Sequence, residues 1–278
     1  MGYYIKVALC ILFCCVFVQA NSLVDSLFGY WNMNGNFQDS SGNNRHATMS
    51  GSVTTTSTGV REGMSASFSG SSYLSLGNIW AGGNTDLTMS CWFKTNQVGL
   101  GTGANLGYGT IGIGNTGTRG HFYARVVGPG VSGNTGGGLD TYYDGNPHVN
   151  IGADNASVDR WWGSSNIVSA NTWYHMTSSY DSQTREVKIY INGVWDRTVA
   201  LSQNLALGTD IRIGGDHYND NFMQGMIDDV AIWTKVLSTQ EVSSLYLYDG
   251  NPNAVPEPSS FLLFLLPVCF LISRAKKR

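Results

Sequence analysis

The chain has 278 residues, with 19 acidic and 16 basic side chains and five cysteines. Five of the basic residues (Lys6, Arg274, Lys276, Lys277 and Arg278) lie in the end segments, so the stretch between carries eleven against 19 acidic, a net charge of −8. That balance excludes nucleic acid as a partner and suits cations. Cys10, Cys14 and Cys15 sit near the front and Cys269 near the back, which leaves Cys91 with no partner for an intramolecular disulfide in the body.

At the front, Lys6 precedes the apolar run Val7–Val18, and Val18-Gln19-Ala20 supplies a small-residue cleavage site. Residues 1–20 are expected to be a secretion signal peptide, with an uncleaved anchor as the alternative. Residues 21–250 form the body, where short alternating runs bounded by Gly, Asn, Asp and Ser predict many strands. These are Leu27–Trp31, Met64–Phe68, Tyr73–Leu76, Leu87–Thr95, His121–Val127, Trp173–Tyr180, Val187–Ile191, Val194–Val199, Ile211–Ile213 and Met226–Trp233. In Leu87–Thr95 the residues Leu87, Met89, Cys91 and Phe93 share one face, which makes Cys91 an inert buried thiol. Asn192-Gly193 predicts the tight turn of a hairpin, since both turn positions need positive φ.

The stretch Gly99–Ser169, with its run of glycines at 136–138, reads as long loops. Ser238-Thr239-Gln240-Glu241 is a capping box, and Val242, Leu245 and Tyr246 follow at helical spacing, which predicts one short closing helix. Residues 251–260 are a polar linker containing Pro256-Glu257-Pro258. Residues 261–278 are an apolar run, Phe261–Ile272, closed by the basic cluster from Arg274 onward. Twelve apolar residues in a helix reach about 18 Å, short of the roughly 30 Å of membrane hydrocarbon.

This ending resembles the PEP-CTERM sorting signal of Gram-negative bacteria, with an ordinary tail anchor as the alternative. The resemblance implies recognition by exosortase, a membrane peptidase, export to the cell surface or matrix, and a link to exopolysaccharide. Across the body, ordered blocks resemble the LamG-like domain of the concanavalin A-like superfamily. They are Tyr30–Asn44, Phe68-Ser69-Gly70 with Tyr73–Leu76, Leu87–Lys94, Trp173–Met176 leading to Tyr180-Asp181, Ile189–Gly193, Ile211–Gly215, Gly225–Val230 and Leu237-Ser238. The fold implied is an all-β, two-sheet antiparallel jelly-roll sandwich, used for carbohydrate or protein recognition and often holding one calcium ion.

Catalysis is not expected. Glycoside hydrolysis needs two carboxylates held roughly 5–10 Å apart, and the only glutamates are Glu62, Glu186, Glu241 and Glu257, with no Glu-X-Asp-X-X-Glu among them. Asp228 and Asp229 are adjacent, so strand alternation sends them to opposite faces. For calcium, the candidate ligands are Asp39 and Asn44 in the turn Asp39–Asn44, with Asp228 or Asp229 closing the shell; about six to eight oxygens are needed. The alternative is that Asp39 makes an Asx-turn and Asp228 caps backbone. For a glycan, the candidates are Tyr142, Tyr143, Trp161 and Trp162, aromatics in expected loops. The functions left open are a recognition module for polysaccharide or an extracellular protein, a ligand-free matrix component, and a glycoside hydrolase.

Overall fold

The computed structural model describes residues 23–60, 63–96, 107–115, 118–127, 148–155, 158–217, 219 and 221–256. In chain order the first strands are β1 (Leu27–Trp31), β2 (Thr48–Ser50), β3 (Val53–Thr56), β4 (Ser65–Ser69), β5 (Tyr73–Asn78) and β6 (Leu87–Thr95). There follow β7 (Gly107–Asn115), β8 (Thr118–Val127), β9 (His148–Asn155) and β10 (Val158–Ile167). The last are β11 (Tyr174–Asp181), β12 (Glu186–Ile191), β13 (Val194–Ala200), β14 (Asp210–Ile213) and β15 (Gln224–Trp233), before one helix, α1 (Thr239–Leu247).

The strands form two antiparallel sheets. The first runs β13-β12-β11-β6-β15-β4-β3, with β1 also on β15, and the second runs β10-β9-β8-β7-β14-β5-β2. Alternation explains the sandwich. Met89, Cys91 and Phe93 from β6, Ile111 and Ile113 from β7, Ile211 and Ile213 from β14, and Ile227 from β15 are all buried in one core. Cys91 is fully buried, and burial pushes its thiol up to about 12, despite a hydrogen bond with Thr110. The jelly-roll architecture expected from the sequence is the one observed.

On the other face of the first sheet α1 packs over part of the surface. Ser238 and Glu241 form the reciprocal cap, with the Glu241 N–H donating to Ser238 Oγ at 3.2 Å and the Ser238 N–H donating to Glu241 Oε2 at 2.8 Å. Val242 and Leu245 then pack with Tyr30, Tyr190 and Trp233 in a second apolar cluster. Tyr246 stacks on Trp92, ring centres 5.5 Å apart.

The stretch 99–169, expected to be long loops around the one strand His121–Val127, holds further strands on either side of it. Within 99–169, β7, β8, β9 and β10 pair in succession and make up over half of the second sheet. Glycines disguised β7. A Cβ on Gly109 would sit 2.7 Å from the Asn221 carbonyl oxygen, and one on Gly112 would sit 2.7 Å from Tyr123 Cβ. Those glycines mark close backbone approach inside a strand rather than a turn.

β15 sets up the site. β6 lies along one flank; on the other, β4 pairs with 224–227 and β1 with 230–233. Asp228 and Asp229 fall in the gap between β4 and β1, and the register against β6 slips there, between Asp228 and Ala231.

Candidate functional site

At that slip Asp229 adopts a left-handed backbone, φ 45°, so a bulge replaces simple alternation. Asp228 turns to the loop before β4: its Oδ2 accepts the Val60 N–H at 3.2 Å and its Oδ1 accepts the Asp229 N–H at 2.9 Å. Asp229 turns to β1 and accepts the Tyr30 hydroxyl. Burial, then repulsion from Asp229, pushes Asp228 up to about 8. Burial and the charge of Asp249 push Asp229 up to about 7, against the Tyr30 hydrogen bond. The Tyr30 hydroxyl is in turn raised, by burial first and by Asp229 second.

Asp39 lies on the loop after β1. Its Oδ1 accepts the N–H groups of Tyr30 (3.1 Å) and Ser41 (2.9 Å), and its Oδ2 accepts that of Arg45 (2.9 Å). Burial alone would raise this carboxyl, but the hydrogen bonds outweigh it and hold it below the usual range. The Ser41 side chain adds a further hydrogen bond to this carboxylate. Asn44 is exposed with φ 57°; it is Asn43 whose side-chain amide reaches back to the Leu27 and Phe28 carbonyls. Tyr30 therefore touches both halves of the expected ion site, Asp39 through its backbone and Asp229 through its hydroxyl. The donors are all hard oxygens, the class calcium takes. Among the described residues no three His, Cys, Asp or Glu side chains gather as a metal-holding group.

The aromatic candidates divide. Tyr142 and Tyr143 lie outside the described residues. Trp161 and Trp162 are not on a loop but in β10, the edge of the second sheet, in register with Gly152 and Ile151. Hairpin pairing with β9 takes up this segment, and neighbouring positions of a strand belong to opposite faces. Pro256 is the last described residue, and Glu257 and Pro258 lie beyond it. The described glutamates have structural partners: Glu241 caps α1 and pairs with Lys235, and Glu186 lies 4.0 Å from Lys188. His175 is fully buried, shares a 2.8 Å hydrogen bond with Ser90, and is lowered to about 3 by burial.

Sequence reasoning missed the outer face of the second sheet. Ile211 and Ile213 enter the core, so Asp210 and Arg212 face outward beside Tyr73 of β5. The Arg212 guanidinium lies 4.5 Å over the Tyr73 ring, which stacks on Phe222 at 6.1 Å and 18°. Arg212 donates to Asp210 Oδ2 (2.9 Å), the Asp216 carbonyl (2.8 Å) and Asn219 Oδ1 (2.7 Å). Asn221 donates to Asp216 Oδ2 at 2.6 Å. The loop after β14 is thus fastened across the sheet through Asp216, Asn219 and Asn221, leaving Tyr73 and Phe222 partly exposed on a braced support. The alternation in Asp210-Ile211-Arg212-Ile213 was the available signal; the stack depends on the loop that follows.

Three solved structures share this architecture. Domain 4 of AbnA, a GH43 extracellular arabinanase from Geobacillus stearothermophilus in complex with arabinotriose, is 19% identical with a TM-score of 0.58, over 80% of this chain and 98% of that one. The binding domain of Paraclostridial Mosquitocidal Protein 1 is 17% identical with a TM-score of 0.57, over 81% of this chain and 52% of that one. The binding domain of botulinum neurotoxin DC, in complex with rat synaptotagmin II, is 15% identical with a TM-score of 0.55, over 82% of this chain and 52% of that one. This chain thus spans about half of each toxin domain. At these identities the likeness is one of fold. No curated protein matches the sequence. A family model described as "Concanavalin A-like lectin/glucanases superfamily" matches residues 68–243, more than half the sequence, and the chain belongs to that superfamily.

Proposed function

We propose that the chain is an exported, non-catalytic recognition module, binding polysaccharide or an extracellular protein partner. The observation that carries this reading is the Tyr73–Phe222 pair, braced by Arg212 and its partners on the outer face of the second sheet. Rings fixed before a ligand arrives lose little entropy on binding and offer flat faces to sugars or to protein side chains. The similar structures that carry arabinotriose and synaptotagmin support both classes of partner. A glycan array and a pull-down of matrix proteins on the full chain test it. Saturable binding should fall about tenfold or more in Phe222→Ala, as expected for a central aromatic contact. Absence of any hit at high protein concentration would favour the ligand-free matrix component, and release of reducing sugar would identify a hydrolase.

Calcium belongs to the same proposal, with Asp39 and Asn44 from the loop and Asp228 and Asp229 from β15 as its ligands. Its role would be to fix the loop after β1 against the bulge. At 100 times its dissociation constant, calcium would add roughly 2.7 kcal/mol, a rise in Tm of several degrees at about 2–4 °C per kcal/mol. Thermal melts with calcium and with chelator measure this, and equal midpoints would remove the ion.

Localisation is the third part. On this reading residues 1–20 would act as a secretion signal and residues 261–278 as a sorting tail, delivering the body to the surface or matrix of a Gram-negative bacterium. An exosortase-type peptidase would cut near Pro256-Glu257-Pro258. Intact mass of the exported protein should lack both segments, whereas a steady-state species retaining Arg278 would leave a tail anchor.

A further inference from the structure

A cavity of about 450 Å3 lies at the ends of β1 and β15, walled by the loop between β5 and β6. That volume is within the roughly 300–1,000 Å3 typical of small-ligand sites. Its lining includes Phe28, Trp80, Thr85, Asp86, Ser182 and Thr234. Phe28 and Trp80 meet edge to face, ring centres 4.9 Å apart.

The wall is braced. Asp86 Oδ1 accepts both the Ser182 N–H (2.9 Å) and the Ser182 hydroxyl (2.6 Å). Asn84 donates to the Ser182 carbonyl at 3.2 Å and accepts the Tyr180 hydroxyl at 2.6 Å. The Trp80 backbone N–H donates to the Thr209 carbonyl at 3.0 Å. Within this wall the Trp80 indole N–H and the Thr85 hydroxyl are buried with no partner, although protein interiors pair nearly all such groups.

We infer that this cavity is a second binding site, beyond the outer face of the second sheet, and that it takes a neutral sugar unit. The indole N–H only donates, so the occupant must bring an acceptor. The Asp86 carboxylate has one oxygen filled by Ser182, so the other calls for a donor. A sugar hydroxyl is both, and the C–H face of a sugar ring suits Trp80 and Phe28. An ammonium ligand would bring no acceptor for the indole. An anionic ligand would meet Asp86 with no basic side chain among the lining residues to offset it.

NMR of the full chain tests this by following the Trp80 indole N–H, assigned with Trp80→Phe. The probes are glucose, galactose, mannose, xylose and arabinose, with glucuronate and tetramethylammonium as charged controls. A saturable shift is expected with at least one neutral sugar and with neither control. Ala81 is exposed at the cavity, so Ala81→Trp should fill the mouth and abolish the shift without removing a buried group. Thr85→Val, which keeps the shape, should weaken binding about tenfold; unchanged melting of both variants guards against misfolding. A shift with tetramethylammonium alone, or with no probe, overturns the inference. Glycan binding that survives Ala81→Trp but is lost in Phe222→Ala overturns the cavity and leaves the second-sheet reading standing. The reverse pattern keeps the cavity and removes the second-sheet reading.

Discussion

In chelator, the protein is expected to be most stable near pH 4 to 5 and to lose stability steadily towards pH 9. Asp228 and Asp229, raised to about 8 and about 7, hold protons when folded that the unfolded chain releases at ordinary carboxylate values. Their stabilising share is therefore complete below about pH 4 and is lost as pH rises through 7 and 8. The slope is about 1.4 kcal/mol per pH unit for each extra proton the folded chain holds over the unfolded one, and it vanishes once both carboxyls have released theirs. Asp39, Asp181 and Glu241 are held low, so their share is lost in the opposite direction, as pH falls below about 4. Together the two groups of acids place the optimum.

Asp229→Asn is the sharpest probe. It keeps an acceptor for the Tyr30 hydroxyl, and Asn tolerates the left-handed backbone at 229 as well as Asp does. The variant should match the native chain at pH 5 and melt several degrees higher at pH 8.5. A native melting curve that is flat or rising between pH 5 and 9 in chelator would contradict the buried, uncompensated pair. If calcium does bind there, it should flatten the native curve at high pH, because a cation replaces the protons.

The expectation that strand alternation sends Asp228 and Asp229 to opposite faces is not met: the two carboxyls stay close enough to repel one another and differ in their partners, Val60 for Asp228 and Tyr30 for Asp229. Their partners differ because β1 and β4 each claim one end of the same flank of β15 and the strand bulges between them. A bulge is created by partners far off in sequence, so the two aspartates could not announce it. Leu87–Thr95 could be read to its last residue, because its apolar positions alternate without interruption and the strand lies at the centre of its sheet. β7 could not: four of its nine residues are glycines, and a glycine that admits a neighbouring backbone looks like one that makes a turn. The capping box of α1 was legible, since every partner in it lies within three residues. The Tyr73–Phe222 stack was not, since its members lie about 150 residues apart and meet only when the loop after β14 folds back. Short-range hydrogen bonding and uninterrupted periodicity are written locally, whereas a recognition face assembled from two strands and a loop is written in the topology.

Trp31→Ala is expected to give the largest loss among single substitutions around the loop after β1. Trp31 is fully buried in the main core, and removing a buried aromatic of this kind costs about 3–5 kcal/mol. The indole also anchors the loop, its N–H donating to the Arg45 carbonyl at 2.8 Å. Arg45 then donates to the Phe28 carbonyl at 2.7 Å and lies 4.0 Å over the Phe28 ring. Trp31→Phe separates the two contributions: it retains most of the packing and leaves the Arg45 carbonyl unpaired, at about 1–3 kcal/mol. Gly29 gives an internal control. A Cβ there would stand 2.4 Å from the far edge of the Trp31 ring, so Gly29→Ala alone should cost about 1–3 kcal/mol by overpacking. Once Trp31→Ala has cleared that space, adding Gly29→Ala should cost little more. The double variant should then be more stable than the sum of the two losses, by about the overpacking term. Denaturant melts of the four proteins give this coupling directly. Strict additivity would mean that Gly29 is glycine for some reason other than the ring above it.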